Sequence, residues 1–231
     1  MNKNSPFQPA DIEKAFQDAF QQFPELKDNG AEMFLGKYYA HPESEILMLG
    51  INPGGNQTHK IDTALKDENC LLGSPKDEKE KYWKHARTLF GSSSELSNKM
   101  VHATFSFIIP VRTTKWTGLK PPEKRIALIN GAKPITRQII SDCNPKYIIV
   151  AGSDGQSTLV HDILDLKKTP YKIHHYDKPA GFTRGTYQLQ RIDVEWEDKA
   201  MTVLQIPHLS RASSKDKLVQ CGQWLTQELQ R

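Results

Sequence analysis

Four short apolar runs, at residues 45–49 (EILML), 104–109 (TFSFII), 147–151 (YIIVA) and 202–206 (TVLQI), constrain this chain more than any other feature. Three are nearly continuous in hydrophobicity, the pattern of strands covered on both faces. Helical patterns separate them. In residues 10–23, Ile12, Ala15, Phe16, Ala19, Phe20 and Phe23 fall on one face. Residues 78–90 follow, then a Pro-initiated stretch from Pro122 to about residue 140, with a kink expected at Gly131 and Pro134. Ser153 is expected to cap a helix at 156–166, and Ser213 or Ser214 one at 215–229. Residues 186–196 read as an antiparallel addition, a hairpin with 201–205. Strands alternating with helices predict a parallel sheet between helical layers. The expected organisation is one α/β domain over residues 1–231, with residues 1–44 a helical extension packed on it.

A chain of 231 residues can bury a substantial core without disulfide or metal staples. Hydrophobic residues make up 37%, charged residues 25%, and mean hydropathy is −0.60, the composition of a soluble globular protein. No run approaches the ~20 apolar residues of a membrane span, and the opening MNKNSPFQPADIEK lacks a secretory apolar core. Membrane and export readings are therefore set aside, and a cytoplasmic location is expected. Cys70, Cys143 and Cys221, an odd number at wide gaps, fit neither a disulfide framework nor a C-x2-C metal site. They are expected to fill core space. A formal net charge of +4 permits a polyanionic partner without requiring one.

In a parallel sheet, ligands bind beyond the carboxyl ends of the strands. Here those ends read GINPGG (50–55), PVR (110–112), GSD (152–154) and PHLSR (207–211). They bring Asn52, Arg112, Asp154, His208, Ser210 and Arg211 to one rim, a polar cleft with little carboxylate. The first loop encodes neither G-x-G-x-x-G nor a P-loop. It supplies an Asn stiffened by Pro53, beside glycines that admit close backbone approach. His41, His59, His85, His102, His161, His174 and His175 show no metal spacing and read as structural or exposed. Residues 112–125 (RTTKWTGLKPPEKR) carry five cations against one Glu, around an exposed-looking Trp116. Such a segment suits a surface that tracks a phosphate backbone and offers a ring for stacking.

Together these pieces resemble the uracil-DNA glycosylase superfamily. Residues 47–54 (LMLGINPG) look like its first motif, in the form of the mismatch-specific and thymine-DNA glycosylase branch. Residues 81–84 (KYWK) are similar to an aromatic helix of that branch, 107–112 (FIIPVR) to its third segment, and 144–152 (NPKYIIVAG) to the strand before a glycine. Residues 207–211 (PHLSR) look like its second active-site motif. The match spans residues 45–229 in the family's order. It implies a three-layer α/β/α sandwich with a central four-stranded, mostly parallel sheet. Asn52 would position the water that attacks C1′ of a flipped nucleotide, and His208 would donate a hydrogen bond to the departing base. The implied base pocket is Ile51, Pro53, Gly54, Gly55, Phe105 and Phe107. The implied DNA contacts are Arg112, Lys115, Trp116, Lys120, Ser153, Ser210 and Arg211. The cysteine ligands of the iron–sulfur branches are missing, so no metal or cofactor is expected.

Two departures bear on the substrate. Position 107 is Phe where uracil-selective relatives place an Asn that reads the base edge, and residues 59–81 contain no aromatic to stack on the base. Tyr82, Phe105 or Phe107 would have to substitute. Leu209 also replaces the usual Pro of the second motif. The expected function is a monofunctional glycosylase that excises a deaminated, mismatched or modified base, acting as a monomer on DNA. One alternative is excision of a bulky modified base, such as glucosylated hydroxymethylcytosine in phage DNA, as antiviral defence rather than repair. The other is a nucleic-acid-binding module that keeps the fold without catalysis.

Overall fold

The computed structural model describes residues 6–33, 35–36, 38–51, 53, 60–63, 65–66, 81–113, 116, 119–152, 159–166, 168, 170–176, 189–209 and 214–231. The apolar runs form strands because each can be buried on both sides. In chain order the helices are α1 (Pro9–Ala15), α2 (Gln17–Gln22), α3 (Glu25–Asp28), α4 (Lys81–Phe90), α5 (Ser94–Met100), α6 (Glu123–Cys143), α7 (Leu159–Ile163) and α8 (Lys215–Glu228). Two short strands, β1 (Ala31–Glu32) and β2 (Leu35–Gly36), precede β3 (Ile46–Gly50), and β4 (Ile61–Asp62) and β5 (Leu65–Lys66) follow it. The remaining strands are β6 (Thr104–Phe107), β7 (Tyr147–Ala151), β8 (Tyr171–Tyr176), β9 (Leu189–Trp196) and β10 (Lys199–Ile206).

The fold is mixed α/β, as expected, but among the described residues the main sheet has six strands rather than four, in the order β6-β3-β7-β10-β9-β8. From β6 to β10 all pairings are parallel; β9 and β8 add antiparallel. The expected hairpin is present as β9–β10, closed by Glu197 and Asp198, both at positive φ (51° and 62°), as a two-residue primed turn requires. Strand β8 (YKIHHY) went unread because it is an edge strand, with Tyr171 and Lys172 exposed and too little hydrophobic contrast to register. Two further two-stranded parallel pairs, β1 with β4 and β2 with β5, lie outside this sheet.

Alternation along the strands divides the core into two. Leu47, Leu49, Ile148 and Val150 pack with Ile12 and Phe16 of the N-terminal helices, Ala132 and Ile139 of α6, and Val160 of α7. Met48, Ile149, Leu204 and Ile206 pack with Ala86 and Leu89 of α4, Leu96 of α5, and Cys221 and Leu225 of α8. Helices therefore cover both faces of the parallel strands, which is why those strands read as unbroken apolar runs. The single helix expected over 10–23 is broken at Phe16 (φ −101°, ψ 10°). Gly131 serves an approach between helices, since a Cβ there would lie 2.6 Å from the Phe16 ring. Helix α8 starts directly after Ser214, which takes the expected N-cap position without a side-chain capping hydrogen bond. The proposed cap of 156–166 falls on Ser153, outside the described residues, and the described helix there is the shorter α7. Among the described residues no helix is long and apolar enough to cross a membrane.

Candidate functional site

Parallel pairing puts the carboxyl ends of β6, β3, β7 and β10 along one edge, and the register aligns Phe107, Gly50, Ala151 and Ile206 in a single row across them. The ladder runs on past the strands. Ile109 N–H donates to the Ile51 carbonyl at 2.9 Å, and Gly152 N–H donates to the Ile206 carbonyl at 3.0 Å. These bonds tie the loop after β6 to the loop after β3, and the loop after β7 to the end of β10.

Gly152 is the meeting point. A Cβ there would lie 2.9 Å from His208 Cδ2 and 3.1 Å from Ile51 Cδ1, and its φ of +101° is one that side chains rarely adopt. The imidazole of residue 208 and the side chain immediately before Asn52 thus flank the same backbone position. Residues 157 apart in sequence are brought together by two strand ends, not by local structure.

The other wall is aromatic. The Tyr82 ring stands edge-on to the His208 ring, with centroids 5.5 Å apart and planes at 62°. Trp83 contacts Tyr82 at 5.1 Å and Phe105 at 5.4 Å, and Phe105 meets Phe107 at 5.1 Å. Phe107 in turn lies over Gly50, where a Cβ would come within 3.0 Å of its Cδ1. A continuous rank of rings therefore runs from β6 along the first turn of α4 to His208. Of the three candidates for a base-stacking ring, Phe105 is fully buried, whereas Tyr82 and Phe107 are half-buried and present surface. Burial among these groups holds the His208 pKa below its ordinary 6.5, so the imidazole is neutral at pH 7. The following residue is anchored too: Leu209 is fully buried, and its carbonyl lies 2.6 Å from His85 Nδ1. In sequence His85 reads only as structural or exposed, because nothing within α4 shows which loop packs on it.

The basic segment differs from its sequence reading. Trp116 is 7% exposed and belongs to the core with Val111 and Leu128, so it cannot serve as an exposed stacking ring. A large, mostly apolar indole is stabilised more by burial in the core than by exposure to water. The Arg112 guanidinium is paired with Glu32 of β1, both side chains about one-fifth exposed, and Lys124 is paired with Glu25 of α3. Part of the local excess of cations is thereby neutralised by residues 25–32. Lys120 is exposed. Ile51 and Pro53 are half-buried at the strand edge. Asn52, Gly54, Gly55, Lys115, Ser153, Ser210 and Arg211 lie outside the described residues, as does Cys70.

Cys143 and Cys221 fill core positions; burial pushes the Cys143 thiol up to about 11 and the Cys221 thiol upward too, so neither is a ready nucleophile. Among the described residues no group of three or more His, Cys, Asp or Glu side chains is placed to hold a metal ion. No protein-family model matches this chain, and no curated protein matches it, so function has to be argued from the residues and their arrangement.

Proposed function

We propose that this chain is a monofunctional, cofactor-free DNA glycosylase that acts as a cytoplasmic monomer and hydrolyses the N-glycosidic bond of a flipped nucleotide. The observation that carries the proposal is the convergence of Ile51 and His208 on the side-chain-free face of Gly152. The residue expected to direct water, Asn52, is one peptide bond beyond Ile51. The residue expected to face the leaving base is His208, and its neutral imidazole suits that task. Glycosidic cleavage passes through an oxocarbenium-like state in which the sugar gains positive charge and the base negative charge. A neutral imidazole donates one N–H to the base at small cost in reorganisation, in surroundings that weaken competition from water. An amide cannot take a proton as a carboxylate can, so Asn52 orients water, and leaving-group stabilisation carries more of the barrier. Extruding the base costs a few kcal/mol, recovered through stacking and contacts to the flipped nucleotide. The half-buried Tyr82 and Phe107 rings are the proposed stacking surface.

A second reading concerns the base itself. The ring of Phe107 over Gly50, edge-on to Phe105, makes an apolar floor without an amide to read a pyrimidine edge. That favours a larger modified base, such as glucosylated hydroxymethylcytosine in phage DNA, and with it a role in defence.

The test is a panel of duplex and single-stranded oligonucleotides carrying uracil, mismatched thymine, hydroxymethylcytosine or its glucoside. Alkaline scission reports abasic sites, and mass spectrometry identifies the released base. Release from at least one substrate, lost in Asn52→Ala, is the expected result; uracil alone as substrate ends the modified-base reading. Tight DNA binding with no released base from any substrate refutes catalysis and leaves the binding module.

A further inference from the structure

Helix α4 meets the His208 loop at two points on one face. Tyr82 and His85 are three residues apart and therefore neighbours on the helix surface. Tyr82 sets its ring against the imidazole, with centroids 5.5 Å apart. His85 Nδ1 lies 2.6 Å from the Leu209 carbonyl. A carbonyl only accepts, so this contact requires a proton on Nδ1 of His85 and fixes its tautomer when neutral. Upstream, the same loop is tied where Gly152 N–H reaches the Ile206 carbonyl at 3.0 Å. The ring also faces Gly152, where an added Cβ would lie only 2.9 Å from the imidazole Cδ2. The backbone of residues 206–209 is thus held at both ends, and the imidazole packs against the Tyr82 ring. Leu209 stands where a resembling motif has a Pro, so a residue of ordinary backbone freedom occupies the position. The bond to Leu209 supplies the restraint that a ring would otherwise provide.

We propose that His85 is a positioning residue: by donating from Nδ1 to the Leu209 carbonyl, it sets the orientation of the His208 imidazole against Tyr82. Its catalytic consequence rests on the glycosylase reading, but its geometric consequence does not. A reacting group displaced by about 1 Å loses on the order of a hundredfold in rate. Removing the donor is therefore expected to lower the chemical step with little change in DNA affinity.

The experiment compares His85→Leu, which removes the donor, with His85→Asn, whose side-chain N–H can occupy the place of Nδ1–H. Histidine-selective 15N labelling follows the ring signals of His208, and single-turnover base release at saturating DNA follows the chemistry. The expected result is a shifted or broadened His208 signal in the Leu variant, about ten- to a hundredfold slower release at unchanged DNA Kd, and recovery of both in the Asn variant. An unaltered His208 signal in His85→Leu, or equal effects of Leu and Asn, overturns the proposal. Failure of the unmutated protein to release any base overturns the glycosylase reading, while the His208 signals still decide whether His85 positions the ring.

Discussion

Adding one methyl group at Gly152 tests the site where its geometry is tightest. An alanine Cβ would sit 2.9 Å from His208 Cδ2, 3.4 Å from His208 Cβ and 3.1 Å from Ile51 Cδ1. Carbon atoms in favourable contact lie roughly 3.5–4.0 Å apart, so the imidazole and the Ile51 methyl must each retreat by several tenths of an ångström. Overpacking of that kind costs about 1–3 kcal/mol. The backbone adds to it, because a φ of +101° strains any residue with a Cβ by about 1–3 kcal/mol. Gly152→Ala should therefore destabilise the protein by about 2–6 kcal/mol, read from urea midpoints at a common m-value. Gly36→Ala is the control. Among the described residues its Cβ would meet only the Phe105 nitrogen, at 3.8 Å, so stability should hold or rise by up to ~1 kcal/mol. Since the displaced group includes the imidazole, base release by the folded Gly152→Ala variant should also fall at least about tenfold. If Gly152→Ala proves as stable and as active as Gly36→Ala, the two loops do not meet there and the reasoning fails.

Three other expectations follow from burial and charge. Trp116→Ala should cost about 3–5 kcal/mol in urea unfolding, as for a core aromatic, and should leave the salt dependence of DNA binding unchanged; a stable variant with weakened binding would restore the surface role. The Arg112 and Glu32 alanine variants should be non-additive by about 1–2 kcal/mol in a double-mutant cycle, and additivity would mean that the pair is not formed. Burial lowers the folded-state pKa of His208 and of His161 below the ordinary 6.5, so just below pH 6.5 the unfolded chain binds more protons than the folded one. Stability should accordingly be level above about pH 6.5 and decline as pH falls through the folded values, less steeply in His208→Gln and His161→Gln; parallel urea-midpoint curves for all three proteins would contradict the burial.

What could be read from the chain and what could not differ by the range of the interaction. The strands β3, β7 and β10 were legible because burial on both faces leaves an unbroken apolar run. The half-exposed edge strand β8 has no such mark, nor does the break at Phe16 between α1 and α2. At the site, His208 and the glycine turn stood out because each directly follows a strand. Trp116 misled: a ring amid cations looks solvent-facing until the packing around Val111 and Leu128 is known. The partner of Arg112 lies 80 residues upstream, and the carbonyl held by His85 lies 124 residues downstream. No local pattern encodes either. The requirement for glycine at 152 is of the same kind, since it arises only when loops after β3 and β10 arrive on the same spot.

A neutral, buried imidazole also limits how much of the proposed reaction one side chain can carry. A single preorganised donor to a developing anion contributes about 2.7–4 kcal/mol, or 10²–10³ in rate. Enzymes accelerate their reactions by roughly 10⁶ or more, so His208 leaves at least a thousandfold to other sources. On the glycosylase proposal those would be extrusion and gripping of the nucleotide, the water directed by Asn52, and exclusion of solvent by the aromatic rank. His208→Ala should therefore be about 10²–10³ slower in single-turnover base release, yet still clearly faster than spontaneous loss of the base. The residual rate should be level from pH 6 to 8, because the titrating group has been removed, and the unmutated protein should not slow as His208 takes up a proton below pH 6.5, since an imidazolium still donates to the base. Complete loss of activity in His208→Ala, with folding and DNA affinity intact, would show that the imidazole transfers a proton rather than merely donating a hydrogen bond. Its depressed pKa would then mark a general base, and the division of labour between residues 52 and 208 would have to be reversed.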